Sequence, residues 1–261
     1  MLHDLLSLDY PEYFPAANLD IFRRRLATAL RHASAFVVSS QAVKRRLARE
    51  LCGQGCRQRP IHVQPFPSPL EGMGPARADP SWRGHPYFVM LATVEPRKNH
   101  LLLLHAWREP VLQDPKAPRL VMVGARGWEN EQVADILDRS AALRRHILEI
   151  RDLASPDLVD LLRGARALLM PSFDEGYGLP LVEALSIGTP VVASDIPVFR
   201  EVTQGRATFL SPLNGKAWGE AIRRLANDEA YAEANRAEAA KFEPPAWSCY
   251  FVALEEFLAS L

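Results

Sequence analysis

The sequence predicts an α/β protein whose larger part is a doubly wound parallel sheet. Three observations point there. Five short apolar runs recur at 87–91, 120–123, 147–150, 167–170 and 190–193, and segments of helix length separate them. The runs are continuously apolar rather than alternating, so each is expected to be buried on both faces, as parallel strands covered by helices are. The loop after each run is then where ligands of such sheets bind, beyond the carboxyl ends of the strands.

Ahead of these runs stands a smaller unit, 1–63. Residues 19–32 have helical spacing, 35–38 form a short strand, Ser39-Ser40 supplies an N-cap for a helix through Arg49, and 61–63 form another strand. Residues 64–86, QPFPSPLEGMGPARADPSWRGHP, are too rich in Pro and Gly for a helix or a central strand and read as a linker. The larger unit runs over 87–246, with late helices at 217–225 and 231–241. A terminal amphipathic helix over 247–261 follows.

Composition narrows the function classes. Apolar residues make up 48% and charged residues 24%, as in ordinary globular proteins, and no apolar run reaches the roughly 18 residues of a membrane span. The N-terminus carries no secretion signal, and Cys52, Cys56 and Cys249 show neither a paired CxxC nor a disulfide framework, so a cytoplasmic setting is expected. The net charge is zero, yet 1–63 holds ten Lys or Arg against five acids. That excess suits solvated helix faces or a peripheral contact with anionic membrane, and it does not call for nucleic acid.

The strand-end loops carry the chemistry. After Leu91 comes Glu95-Pro96-Arg97-Lys98-Asn99, and two adjacent cations there suit a diphosphate, Arg as a fork and Lys as a point charge. Gly124 follows the next run without completing GxGxxG, so the dinucleotide fingerprint is not met. The strongest segment is Met170-Pro171-Ser172-Phe173-Asp174-Glu175-Gly176-Tyr177-Gly178-Leu179-Pro180-Leu181-Val182-Glu183. Pro180 is expected at the first helical position, which leaves a ring of free amides and a helix dipole for an anion above Gly178 and Leu179. Glu175 then lies in the loop, free for sugar hydroxyls, and Glu183 in the first turns of the helix, placed for a ribose diol. The plainer alternatives are a turn residue for Glu175 and dipole stabilisation for Glu183.

Pro171-Ser172 through Glu183, with seven residues between its two acids, followed by Gly188-Thr189-Pro190-Val191-Val192-Ala193-Ser194-Asp195, resembles the family 4 glycosyltransferases. Glu95-Pro96-Arg97-Lys98-Asn99 is similar to that family's phosphate-contacting loop, and Gly124 to its next strand end. The resemblance covers about 87–261 and implies a GT-B fold of two Rossmann-like domains, the C-terminal one holding a nucleotide-sugar donor. It implies that Arg97 and Lys98 neutralise the diphosphate, that Glu175 orients the sugar, that Ser172 and Gly176, Tyr177, Gly178 and Leu179 line the donor with backbone donors, and that Glu183 holds the ribose. No cofactor and no metal are implied, and sugar transfer is expected to retain the anomeric configuration through front-face attack. His3-Asp4-Leu5 with Tyr10-Pro11-Glu12 resembles the family's acceptor-side His-Asp loop, which places His3 near the donor sugar. A Rossmann-like domain needs roughly 100 residues, so 1–63 is expected to be only the C-terminal part of the acceptor-side domain, completed upstream or by a partner chain. The terminal helix is expected to cross back toward it.

The leading expectation is hexosyl transfer from a nucleoside-diphosphate sugar, with GDP-mannose favoured by Arg97-Lys98-Asn99, to a saccharide or lipid-linked acceptor in surface polysaccharide synthesis. The alternatives are a nucleotide-sugar-binding module that is inactive without a complete N-terminal domain, and a sugar-nucleotide 2-epimerase of the same fold.

Overall fold

The computed structural model describes residues 1–55, 58–74, 85–113 and 117–261. Cys56 and the middle of the linker, 75–84, lie outside them. The N-terminal part contains α1 (Leu6–Asp9), a single 3₁₀ turn (Pro11–Tyr13), α2 (Ala16–His32), β1 (Phe36–Val38), α3 (Gln41–Gly53) and β2 (Ile61–Val63). Strands β1 and β2 pair in parallel, and Leu2 bridges to Val38 in the same sense. Helices α2 and α3 cover this small sheet with Leu26, Leu30, Val43, Leu47 and Leu51, which pack with Leu5, Phe36 and Val38 into a core of their own. Ser40 caps α3 as its position predicts, its Oγ accepting from the Val43 amide at 3.2 Å.

The larger part runs through β3 (Tyr87–Leu91), α4 (His100–Gln113), β4 (Arg119–Val123), α5 (Glu131–Arg139), α6 (Ala141–Arg144), β5 (Ile147–Ile150), α7 (Ser155–Gly164), β6 (Leu168–Met170), α8 (Leu179–Ser186), β7 (Val191–Ser194), α9 (Pro197–Val202), β8 (Thr208–Leu210), α10 (Gly215–Asn227), α11 (Glu229–Ala239) and α12 (Trp247–Ala259). Its six strands are parallel in the order β5-β4-β3-β6-β7-β8. Alternate residues of one strand serve opposite layers. Tyr87, Val89, Val121, Leu168 and Met170 face α7, α8 and α9, while Phe88, Met90, Leu120, Met122 and Leu169 face α4, α5, α6 and α10. Burial on both faces is what the continuous apolar runs require. Strand β5 departs from it: at the sheet edge, Leu148 and Glu149 are exposed, and Glu149 pairs with Arg126.

Strand β8 and helix α9 are not foreseen by the sequence. Both are short, and β8 is an edge strand of half-buried residues with little apolar signal. The linker has no helix or strand in its described residues, but it is not a free tether. Gln64, Ser68 and Leu70 are buried, and Leu70 belongs to the larger core.

The topology fixes where the site lies. The chain starts at central β3, winds outward through β4 and β5, then returns to place β6 on the other side of β3, with Val89 opposite Leu168. The loops leaving β3 and β6 therefore diverge at the switch point of the sheet, where open α/β sheets form their crevice. Gly124, at the end of β4, is constrained by the backbone alone: its φ is +148°, and a Cβ there would stand 2.1 Å from the Ala92 carbonyl oxygen. Gly124→Ala is expected to cost at least about 2 kcal/mol, read as a lowered melting temperature; an unchanged melt contradicts this packing.

Candidate active site

The two loops at the switch point are stitched to each other. The Phe173 amide donates to the Arg97 carbonyl at 2.9 Å, and Arg97 Nη1 donates to the Asp174 carbonyl at 2.8 Å. Asn99, in the left-handed conformation (φ 59°) that Asn tolerates, donates through Nδ2 to the carbonyls of Pro171 and Pro212 at 3.2 and 2.9 Å. This stitching brings residues 77 positions apart into one cluster. Arg97 Nη1 lies 2.8 Å from Glu175 Oε2, Arg97 Nη2 lies 2.7 Å from Glu95 Oε1, and Lys98 Nζ pairs with Glu175 Oε1. Ser172 Oγ adds a hydrogen bond to Glu175 Oε1 at 3.0 Å. The side chains of Arg97, Lys98 and Glu175 are 11%, 14% and 9% exposed.

Charges so buried hold one another ionised. Burial alone would raise the Glu175 pKa, but Lys98 and then Arg97 outweigh it and hold the carboxyl below its usual range. Glu95 goes the other way, raised by burial that Arg97 only partly offsets. Behind the cluster His100 is buried at the start of α4, its pKa pushed down to about 3 by burial and then by Lys98, so the imidazole stays neutral.

Helix α8 supplies the second half of the site. Gly178 sits at its N-cap with φ +96°, close against the Phe199 ring, and no side chain caps the helix. Leu179 is its first residue and Pro180 its second, one position later than expected. Glu183 is therefore the fifth residue, past the first turn, where the dipole explanation for an acid loses its force. It is 7% exposed, with no hydrogen-bond partner among the described residues, and burial raises its pKa to about 7.

The N-terminal part closes directly onto these loops. Ser39 and Ser40 donate their Oγ hydrogens to the Gly176 carbonyl at 3.2 and 3.0 Å, and a Cβ on Gly176 would stand 2.7 Å from the His3 carbonyl oxygen. Glu201 of α9 accepts from the amides of Gln41 and Ala42 at 2.6 and 3.1 Å, satisfying the first free donors of α3 from across the interface. Trp128 Nε1 donates to the Tyr13 carbonyl at 2.8 Å, and Tyr13 stacks on Phe173 at 5.6 Å. Helix α12 reaches the same part, with Phe257 stacked on His62 at 4.7 Å. Between the parts lies a cavity of about 180 Å³, lined by Asp4, Asp9, Arg45, Arg46, Asp174 and Glu175 among others.

The structure adds to several sequence expectations. The Tyr177 side chain serves the linker: its hydroxyl donates to the Phe66 carbonyl at 2.9 Å and its ring packs edge-on against Phe66. The His3 backbone reaches Gly176, but its imidazole is exposed and lies over Phe66 at 6.0 Å. Gly124 has a structural demand of its own, since a Cβ there would meet the Ala92 carbonyl. Glu183 is not among the residues that line the cavity at Glu175. Asp174, Glu201 and the Ser39-Ser40 pair join the site through contacts distant in the chain, which the sequence does not show, whereas Glu95 pairs with Arg97 two residues away.

The family model for glycosyl transferases group 1 matches residues 77–242, well over half of the chain. The chain belongs to the group 1 glycosyl transferases. This glycosyltransferase is 36% identical over 126 residues to the serotype-specific mannosyltransferase WbdA of Escherichia coli, covering 48% of this chain and 15% of that protein. It is 31% identical over 153 residues to the O-antigen chain mannosyltransferase B of Escherichia coli, covering 59% of this chain and 39% of the relative. The chain thus spans well under half the length of these curated relatives. Among solved structures, the sucrose-phosphate synthase of Thermosynechococcus elongatus superposes with a TM-score of 0.75 at 20% identity, over 99% of this chain and 66% of that one. That likeness shows the GT-B type of fold. Among the described residues no helix is long and apolar enough to cross a membrane.

Glu183 gives the glycosyltransferase a pH signature. Its folded pKa of about 7 exceeds the ordinary 4.5, so between these values the unfolded chain loses a proton that the folded chain keeps, and stability falls as pH rises. Glu183→Gln is expected to melt above the parent at about pH 8, with the difference closing below about pH 4.5. A difference that does not vary with pH contradicts the buried, unpartnered carboxyl.

Proposed function

We propose that this chain holds the donor site of a retaining, metal-independent hexosyltransferase. The donor is a nucleoside-diphosphate sugar, GDP-mannose favoured, and the acceptor a saccharide or lipid-linked saccharide of a surface polysaccharide, on the cytoplasmic side. The observation that carries the reading is the cluster of Arg97 and Lys98, both mostly buried, at the switch point of the sheet, where the uncapped N-terminus of α8 also lies. Two cations and a ring of helix amides suit a diphosphate and would stabilise it as it leaves. The mannosyl preference is supported by the names of the relatives above, two of which are mannosyltransferases.

In this reading Arg97 and Lys98 screen the departing diphosphate, and Glu175 accepts hydrogen bonds from sugar hydroxyls to orient the sugar. Glu183 accepts from the ribose diol. With the leaving group so screened, attack from its own face needs orientation and charge stabilisation rather than a protein nucleophile. A second reading, nucleotide-sugar binding without turnover by this stretch, draws on the small β1-β2 sheet of the acceptor side. Turnover assays on the chain, alone and with a longer N-terminus, separate the two.

Saturation-transfer NMR with GDP, UDP and ADP sugars tests the site. The account expects binding that favours GDP-mannose and falls at least about tenfold in Lys98→Ala, the scale of one charge-assisted phosphate contact. Binding unaffected by both Lys98→Ala and Glu183→Ala overturns the assignment.

A further inference from the structure

In the structure the two cations that the proposed function assigns to a diphosphate already hold an anion. Glu175 bridges Arg97 and Lys98, and Glu95 takes the remaining face of Arg97. We propose that Glu175 stands in place of the donor diphosphate, so that donor binding exchanges one anion for another, and that this exchange weakens the hold on free nucleoside diphosphate. The inference rests on the donor-site reading above.

Glu175 cannot move far: its amide donates to Asp174 Oδ1 at 2.8 Å, and the next residue, Gly176, is held under the His3 carbonyl and by Ser39 and Ser40. A diphosphate that takes Arg97 and Lys98 therefore leaves Glu175 9% exposed with Ser172 Oγ as its remaining side-chain partner. An ionised carboxylate left so poorly matched in a buried site is costly. A sugar on the diphosphate offers hydroxyl donors that satisfy it. A free nucleoside diphosphate, whose ribose hydroxyls go to Glu183 in this reading, offers none at Glu175, and its terminal phosphate brings a further negative charge toward the same carboxylate. The penalty falls on the spent donor and favours its departure after transfer. Glu95 does not share this role, because its carboxylate pairs with Arg97 and not with Lys98 among the described residues.

Titration calorimetry with GDP and GDP-mannose, and with the UDP and ADP pairs, tests the exchange on the parent, E175Q and E95Q. E175Q is expected to bind the free nucleoside diphosphate at least about tenfold more tightly than the parent, the scale of one close charge pair, while the sugar nucleotide gains less. E95Q is expected to leave the ratio of the two affinities unchanged. If E175Q is unfolded on its own, recovery of its fold on adding nucleoside diphosphate, followed by circular dichroism, reports the same gain. A folded E175Q that binds nucleoside diphosphate no better than the parent overturns the proposal, as does an unfolded one that it does not rescue. Should the parent bind neither ligand of any pair, the donor-site reading itself fails; binding by the parent with no gain in E175Q defeats only the exchange.

Discussion

Arg97 and Lys98 end the central strand's loop with little water around them, and cations so placed require an anion. In the structure that anion is Glu175, from the loop of the neighbouring strand. The pairing depends on the topology, because only a sheet that returns to the flank of β3 sets the β6 loop beside the β3 loop. It also depends on the backbone stitches between Arg97, Phe173, Asn99 and Pro171, which hold the loops close enough for the charges to meet. Topology supplies the position, the stitches supply the distance, and burial makes the charges matter.

The same loop is gripped from the other side by the N-terminal part. Gly176 receives two serine hydroxyls, and Glu201 terminates α3 from α9. These contacts join the N-terminal part to the β6 loop one residue beyond Glu175. A movement between the two parts is therefore felt first at the carboxylate that is proposed to orient the sugar. The small cavity between them, with Asp4, Asp9 and Asp174 beside Glu175, is where an acceptor hydroxyl would approach in that reading.

Much of the fold was legible because its signal is local. Strands β3, β4, β6 and β7 announce themselves as unbroken apolar runs, and Ser40 announces α3 as a cap. Strand β8 did not, being three half-buried residues at an edge. Of the site, Arg97, Lys98, Ser172 and Glu175 could be named from their loops, and the structure brings them together. Their mutual neutralisation could not, since it joins residues 77 positions apart. The Tyr177 side chain is equally hidden from the sequence, its hydroxyl serving Phe66, a partner 111 positions away in the chain.

The central claim is that a diphosphate takes over the cations now held by Glu175. A crystal structure of the protein with a bound nucleoside diphosphate tests it most directly. The account predicts phosphate oxygens on Arg97 and Lys98 and above the Gly178 and Leu179 amides, the ribose at Glu183, and Glu175 parted from both cations. A nucleotide seated elsewhere, or one seated there with the Arg97–Glu175–Lys98 pairing intact, contradicts it.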